Sequence, residues 1–372
     1  MNRRLQRWAL TAALALLPAI AGAQAVESGN WINLFDGETL FGWTQFGDIQ
    51  WQAKDSTLLA EKGTGGWLAT TSRFANFELS LQIKQTGPGT AGVVFRGALE
   101  GHPSANGSGV ILLGGKENDG AWHTLSLTAV GNAFTATLDG KAIDGVTASN
   151  SIGHIGIQYH RYHGNGSKAY AVEVKDVKLR PLGLEPLFNG TDLTGWNILP
   201  DKKSKFNVVE GAINITDGNG QIETAGTYKD FVLQLDIISN GEKLNSGVFY
   251  RGPVGVFWKG YESQVRNDWQ KDDRTKPNDF GTGGNYGNQP TRKVVSTDHE
   301  WFQKTIVVDG NHASVWINGY LTSDFFDTRP VSPESDGKNG FVDQAGTIHL
   351  QGHDPTTNLS FKNINIQVYP EN

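Results

Sequence analysis

The chain of 372 residues carries a formal net charge of −6, with charged residues at 19% and both signs interspersed. No basic stripe runs along it, which argues against nucleic acid as a partner. The absence of cysteine excludes disulfides, thiolate catalysis and a lipidated N-terminal cysteine, so an exported form must be held by its core alone. Many turns and many rings, 47 glycines and 11 tryptophans, are the balance of an all-β extracellular protein. Aromatic rings also stack on the C–H faces of sugars, although core packing accounts for most of them.

The first element in chain order is an address. Arg3, Arg4 and Arg7 precede an apolar run from Ala9 to Ile20, and Ala21-Gly22-Ala23 and Ala23-Gln24-Ala25 both fit a small-x-small cleavage site. Residues 1–25 therefore read as a signal peptide directing export to the periplasm or beyond. The run is too short for a stable bilayer span, and the mature chain offers no other candidate.

Everything after it occurs twice. Leu34-Phe35-Asp36-Gly37 and Leu40 to Trp43 return as Leu187-Phe188-Asn189-Gly190 and Leu193 to Trp196 (34 to 187, an offset of 153). Val93-Val94-Phe95-Arg96-Gly97 returns as Val248-Phe249-Tyr250-Arg251-Gly252 (93 to 248, 155). Trp122 and Leu138-Asp139-Gly140 match Trp301 and Ile317-Asn318-Gly319 (122 to 301, 179), and Gly153 to His160 matches Gly346 to His353 (153 to 346, 193). Ordered landmarks of this kind point to a duplication, with copies at 31–182 and 185–370 joined where Pro181, Gly183 and Pro186 interrupt regular structure. So short a linker predicts copies in contact.

Within each copy, period-2 alternation marks strands: Phe77 to Ile83 and Phe231 to Ile237, Leu125 to Val130 and Thr305 to Val308, then Phe361 to Ile366. Helical periodicity is nearly absent beyond the leader. The expected fold class is all-β, as two tandem concanavalin-like jelly-roll β-sandwich domains, each with one concave face. The growing offset adds 24 residues to copy two before Trp301 (179 against 155) and 14 more before Gly346 (193 against 179). Insertions at fixed points of one scaffold are elaborated loops, and function gathers on such loops.

Copy two contains, in order, Leu187-Phe188-Asn189-Gly190, Leu193 to Trp196, Asn245 to Arg251, Gly260-Tyr261-Glu262-Ser263-Gln264, Thr282-Gly283 through Tyr286-Gly287, Asn318-Gly319, Ile348 to His353 and Phe361-Lys362-Asn363-Ile364. Over 185–370 this pattern resembles the 3-keto-disaccharide hydrolase family. Copy one resembles a divergent member: it keeps Phe95-Arg96-Gly97, Gln158 and His160, but has Gly109 to Leu113 in place of the Gly-Tyr-Glu-x-Gln phrase. On this alignment Ile111 stands at the position of Glu262 and Leu113 at that of Gln264.

The resemblance implies cleavage of glycosides already oxidised at C3, supplied by an upstream sugar oxidoreductase. The ketone acidifies the C2 proton, and the C1 oxygen, β to the carbonyl, leaves by elimination. Such a site requires a base, a group for the C3 oxygen and assistance to the leaving group. Glu262 and Gln264, two apart on a strand, share a face, and Tyr261 points the other way into the core. Arg251 can hold a developing enolate with its planar fork, and His353 can act as acid, base or metal ligand. The catalytic candidates are therefore Glu262, His353 and Arg251. Gln264, Gln351, Asn245, Trp258 and Tyr286 are the substrate-binding candidates, with His349 extending the Gln351–His353 series, the 266–298 loop as rim, and Trp269 a second ring near the sugar. Each has a plainer reading as an ion pair, a solvated histidine or a packing ring.

The sequence assigns no cofactor and leaves a metal requirement open. Asp268, Asp272 and Asp273 are nonetheless candidates for a divalent cation, although their spacing is not that of an EF-hand. Two alternatives stay open: an ordinary glycoside hydrolase, which needs a second carboxylate facing Glu262, and a non-catalytic carbohydrate-binding protein on the same fold.

Overall fold

The computed structural model describes residues 29–87, 89–100, 102, 105–114, 118–161 and 170–370, and the leader lies outside them. Among the described residues there is no helix, and none is long and apolar enough to cross a membrane.

The chain folds into two β-sandwiches built on one plan. Each pairs an eight-stranded outer sheet with a five-stranded inner sheet. In the N-terminal unit the inner sheet runs, edge to edge, Trp43–Gly47, Gly65–Phe74, Gly153–Arg161, Gly89–Gly97 and Gly109–Leu113. In the C-terminal unit the same positions are taken by Trp196–Ile198, Gly220–Thr224, Thr347–Gly352, Ser246–Gly252 and Tyr261–Val265. The outer sheets repeat equally: Phe77–Thr86 lies between Ala171–Pro181 and Trp122–Val130, as Phe231–Ser239 lies between Asn358–Val368 and Phe302–Asp309. All these pairings are antiparallel. Duplication is thus visible in topology as well as in sequence.

The alternation read from the sequence sets each strand's faces. Phe77, Leu79, Leu81 and Ile83 are buried, with the intervening side chains half-exposed. Phe231–Ser239 departs from that pattern because it is buried on both faces over its first half. Val232 lies in the hydrophobic cluster of the N-terminal unit, together with Val307, Trp316, Leu321 and Tyr369. The two units therefore share a core at their junction. Polar contacts reinforce it: Arg73 forms a forked ion pair with Asp309, the Ser72 and Ser314 hydroxyls lie 2.8 Å apart, and Trp316 donates its indole N–H to the Asn33 carbonyl at 3.0 Å. The expectation of units in contact is met.

Candidate active site

Pairing across the inner sheet of the C-terminal unit arranges its exposed-face side chains in rows. Phe249 stands opposite Glu262, His349 opposite Phe249, and Glu223 opposite His349. The neighbouring row contains Gln264 opposite Gly247, and Gln351 opposite Gln221. Residues between these positions, such as Ile222, Val248, Ile348 and Leu350, fill the core on the other face. All the polar members of the two rows are buried, so a polar floor lies beneath surrounding loops.

Glu262 is the focal group. Burial pushes its carboxyl up to about 7 despite the nearby cation of Lys338. Lys338 Nζ lies 3.5 Å from Glu262 Oε2 and makes no closer hydrogen bond. It sits 3.6 Å from the Trp258 ring centroid, 5.2 Å from that of Phe249 and 5.3 Å from that of Tyr286. Burial also lowers the Lys338 pKa. A carboxylate and an ammonium, both stripped of much of their water, thus meet inside an aromatic frame. Gly247 makes room for the carboxylate, since a Cβ there would stand 2.4 Å from Glu262 Oε1.

Both insertions in copy two converge here. The first turns back along the open edge of Tyr261–Val265: Gln264 N–H donates to the Gly284 carbonyl at 2.9 Å, and Tyr286 N–H to the Glu262 carbonyl at 2.8 Å. This edge pairing delivers Tyr286. The second carries Lys338 and is pinned by Arg329, which forks onto Asp327 and donates to the carbonyls of Lys338 at 2.6 Å and Gly337 at 3.0 Å. The loop after Gly252 is pinned from the floor: Glu223 accepts from Gly255 N–H at 3.0 Å and Gln221 Oε1 from Trp258 N–H at 2.7 Å. Beneath the site, Lys304 crosses the core to donate to Ser263 O, Ser263 Oγ and Gln264 O. Burial lowers its pKa to about 7.

The sequence candidates divide between those brought together and those set apart. Glu262, Gln264, Gln351, Trp258 and Tyr286 belong to the site or its frame. Asn245 lies at one end, donating to Asp279 Oδ2 at 3.0 Å, and Gln264 donates to the Asp279 carbonyl at 3.0 Å. Arg251 is not at the site. It sits at an irregularity where φ is +53°, and its guanidinium is spent on the carbonyls of Lys229 and Val342 and on Asp230. Arg96, its counterpart, does the same with the carbonyls of Ala75, Gly131 and Asn150. The shared arginine is a pin common to both copies, which is why it recurs.

His353 also lies apart, because the strand ends at Gly352 and the ring turns out to an exposed contact with Asp354 at 3.0 Å. The histidine on the inner face is His349, held neutral by burial with its pKa lowered to about 4 and its Nε2 2.6 Å from Thr347 Oγ1. Trp269 carries Arg274 over its ring at 4.1 Å. Of the loop aspartates, Asp268 pairs with Lys243 at 3.0 Å and Asp273 with Lys276 at 2.8 Å. No group of three His, Asp or Glu side chains suited to a metal forms among the described residues.

The alignment with the N-terminal unit requires a correction of one residue. Val94 pairs with Val110 and Gly92 with Leu112, as Phe249 pairs with Glu262 and Gly247 with Gln264. Val110 and Leu112, not Ile111 and Leu113, occupy the positions of the two polar residues. Ile111 and Leu113 point into the core, because a slip of one residue exchanges the faces of a strand. Lys338, Glu223 and Gln221 escaped the sequence reading. Alternation in Gly220-Gln221-Ile222-Glu223-Thr224 was the available signal for the last two, and the 14-residue insertion (193 against 179) was the signal for Lys338.

A family model described as the 3-keto-alpha-glucoside-1,2-lyase-like domain matches residues 30–180 and again 183–367. A comparison with curated proteins finds no match. Among solved structures, a protein described as a candidate glycosyl hydrolase from Parabacteroides distasonis ATCC 8503 is similar at 24% identity and TM-score 0.42, over 50% of this chain and 94% of that one. A carbohydrate binding module from Bacillus subtilis is similar at 15% identity and TM-score 0.35, over 47% of this chain and 97% of that one.

Proposed function

Given that the chain belongs to the family of 3-keto-alpha-glucoside-1,2-lyase-like domains, matched once by each of its halves, we propose that its C-terminal unit cleaves glycosides already oxidised at C3. The observation that carries this reading is the buried Glu262–Lys338 pair within the Trp258, Phe249 and Tyr286 frame. A carboxyl raised to about 7 is a base whose strength suits neutral conditions.

In this scheme Glu262 takes the proton from C2. The C–H electron pair moves into the C2–C3 bond, and the C3 carbonyl becomes an enolate whose negative oxygen faces the Lys338 ammonium. The enolate then reforms the carbonyl, the electron pair forms the C1–C2 double bond, and the glycosidic oxygen departs. The proton now on Glu262 is available to that oxygen. Water added across the new double bond completes net hydrolysis. Lys338 takes the role that the sequence gave to Arg251, and Gln264 and Tyr286 position the ring. The substrate must come from an enzyme that oxidises the C3 hydroxyl, and the N-terminal run read as a signal peptide supports an encounter outside the cytoplasm.

An ordinary two-carboxylate glycosidase fits less well. The other glutamate of the row, Glu223, lies three strand spacings from Glu262, about 14 Å between backbones. Its oxygens already accept from Gly255 N–H and Thr347 Oγ1. The deciding experiment incubates the protein with aryl 3-keto-glucosides and their unoxidised counterparts in D2O. Release from the keto substrates alone, with deuterium entering C2, is expected. Equal release from both series, or saturable binding with no turnover of either, overturns the proposal.

A further inference from the structure

The second row of the inner sheet holds two buried amides in register across a strand pair, each with one unpaired atom. Gln221 and Gln351 are in register, 0% and 2% exposed, and on the same face as Glu262. The orientation of Gln221 is fixed: its Oε1 accepts from Trp258 N–H at 2.7 Å, so the free atom is the donor Nε2, which has no partner. On Gln351 the acceptor Oε1 has none. Buried amide atoms are as a rule hydrogen-bonded, so each of these two has room for one partner. On the strand beside Gln351 is Gly247, whose missing side chain makes room for the Glu262 carboxyl next to the amides.

We propose that Gln221 Nε2 and Gln351 Oε1 form a clamp for one hydroxyl of the second sugar ring, the one that departs. A hydroxyl is the group that satisfies both at once, accepting from the first and donating to the second. Two strand spacings, about 10 Å, separate the Glu262 strand from that of Gln351. A second ring, next to an oxidised ring bound at Glu262, spans that distance and reaches the clamp. The N-terminal unit keeps half of it: Gln158 aligns with Gln351 and also has an unpaired Oε1, but Trp67 stands in place of Gln221 and is stacked on by Phe46 at 5.4 Å. The donor is gone and the position is covered.

The clamp rests on the function proposed above for the placing of the two rings, but its test needs no turnover. Wild type, Gln351→Met and the matched control Gln158→Met are titrated calorimetrically with an unoxidised glucose disaccharide and with methyl glucoside. Wild type should bind the disaccharide at least about tenfold more tightly than the methyl glycoside. Gln351→Met should remove that preference, and Gln158→Met should preserve it. Where methionine prevents folding, as judged by thermal unfolding, Gln351→Asn shortens the amide and should also lose the preference. Equal affinity of wild type for both sugars, no measurable binding of the disaccharide, or an undiminished preference in Gln351→Met overturns the clamp. Gln351-dependent binding without turnover of any 3-keto-glycoside would refute the catalytic reading and keep the clamp.

Discussion

The two inner sheets share strand order, register and a pinned arginine, yet their faces are chemically opposite. Where the C-terminal unit sets Glu223, His349, Phe249 and Glu262 in a row, the N-terminal unit sets Ala69, Gly156, Val94 and Val110. Where the first has Gln221, Gln351, Gly247 and Gln264, the second has Trp67, Gln158, Gly92 and Leu112. Trp67, Ala69 and Val94, with Phe46 and Val110 against them, make a small apolar cluster of their own. Even the residue crossing the core differs, because Leu125 opposite Leu81 stands where Lys304 stands opposite Leu235. The scaffold is therefore indifferent to what its inner face carries, and the polar version is accompanied by loops that bring the charge partner of Glu262.

The largest expected effect is a direct break of that difference. Glu262→Gln keeps the shape and removes the proposed base, and should lower kcat on an aryl 3-keto-glucoside by about 10²–10⁴-fold with the fold retained. A variant retaining full activity would remove Glu262 from the chemistry. A matched pair sharpens the comparison next. In Gly247→Ala the new methyl would press on Glu262 Oε1 at 2.4 Å, whereas in Gly92→Ala it would meet Leu112 and Gln158 at 3.3 and 3.4 Å. The first should cost on the order of 10²-fold in kcat through misplacement of the carboxylate. The second should leave the rate within about twofold, since its contacts are ordinary or nearly so. Similar losses in both would mean that the glycine serves the sheet and not the base.

Smaller effects test what the units share. Arg251→Lys and Arg96→Lys should each destabilise by about 1–3 kcal/mol, because one ammonium cannot serve the separate carbonyls that each guanidinium serves. Denaturant melts would show it, and a rate lost in Arg251→Lys without lost stability would return that residue to catalysis. The last test is a pH slope. Glu262 is raised from 4.5 to about 7, so between those values the native state binds more protons than the unfolded one and stability falls as pH rises. Lys304 is lowered from 10.5 to about 7, so between about 7 and 10.5 the unfolded state binds more protons and stability rises with pH. Unfolding free energies measured against pH should lose the acid-side fall in Glu262→Gln and the alkaline rise in Lys304→Met.

The fold was legible because it rests on local signals given twice: alternation, turn residues and five landmarks in the same order. Glu262 was legible because its phrase is specific. Its cation was not, because Lys338 stands in Asp336-Gly337-Lys338-Asn339-Gly340, which reads as a solvated turn. Only the tertiary closure of that loop onto Trp258 makes the lysine part of the site. His353 was misplaced through an assumption that the strand persists past Gly352, and Ile111 through a register that sequence spacing leaves ambiguous by one.

The fused junction sets a term on the history of the chain. Val232, Val307, Trp316, Leu321 and Tyr369, all from the C-terminal half, complete the hydrophobic cluster of the N-terminal half. Once a duplicated segment had been recruited in this way, it could shed its polar face but could no longer be deleted, since its loss would strand a tryptophan and its neighbours in water. The N-terminal half is retained for its underside. Expression of residues 183–370 alone should accordingly give an aggregating product, and a soluble, well-folded monomer from that fragment would show that the lineage was still free to discard the rest.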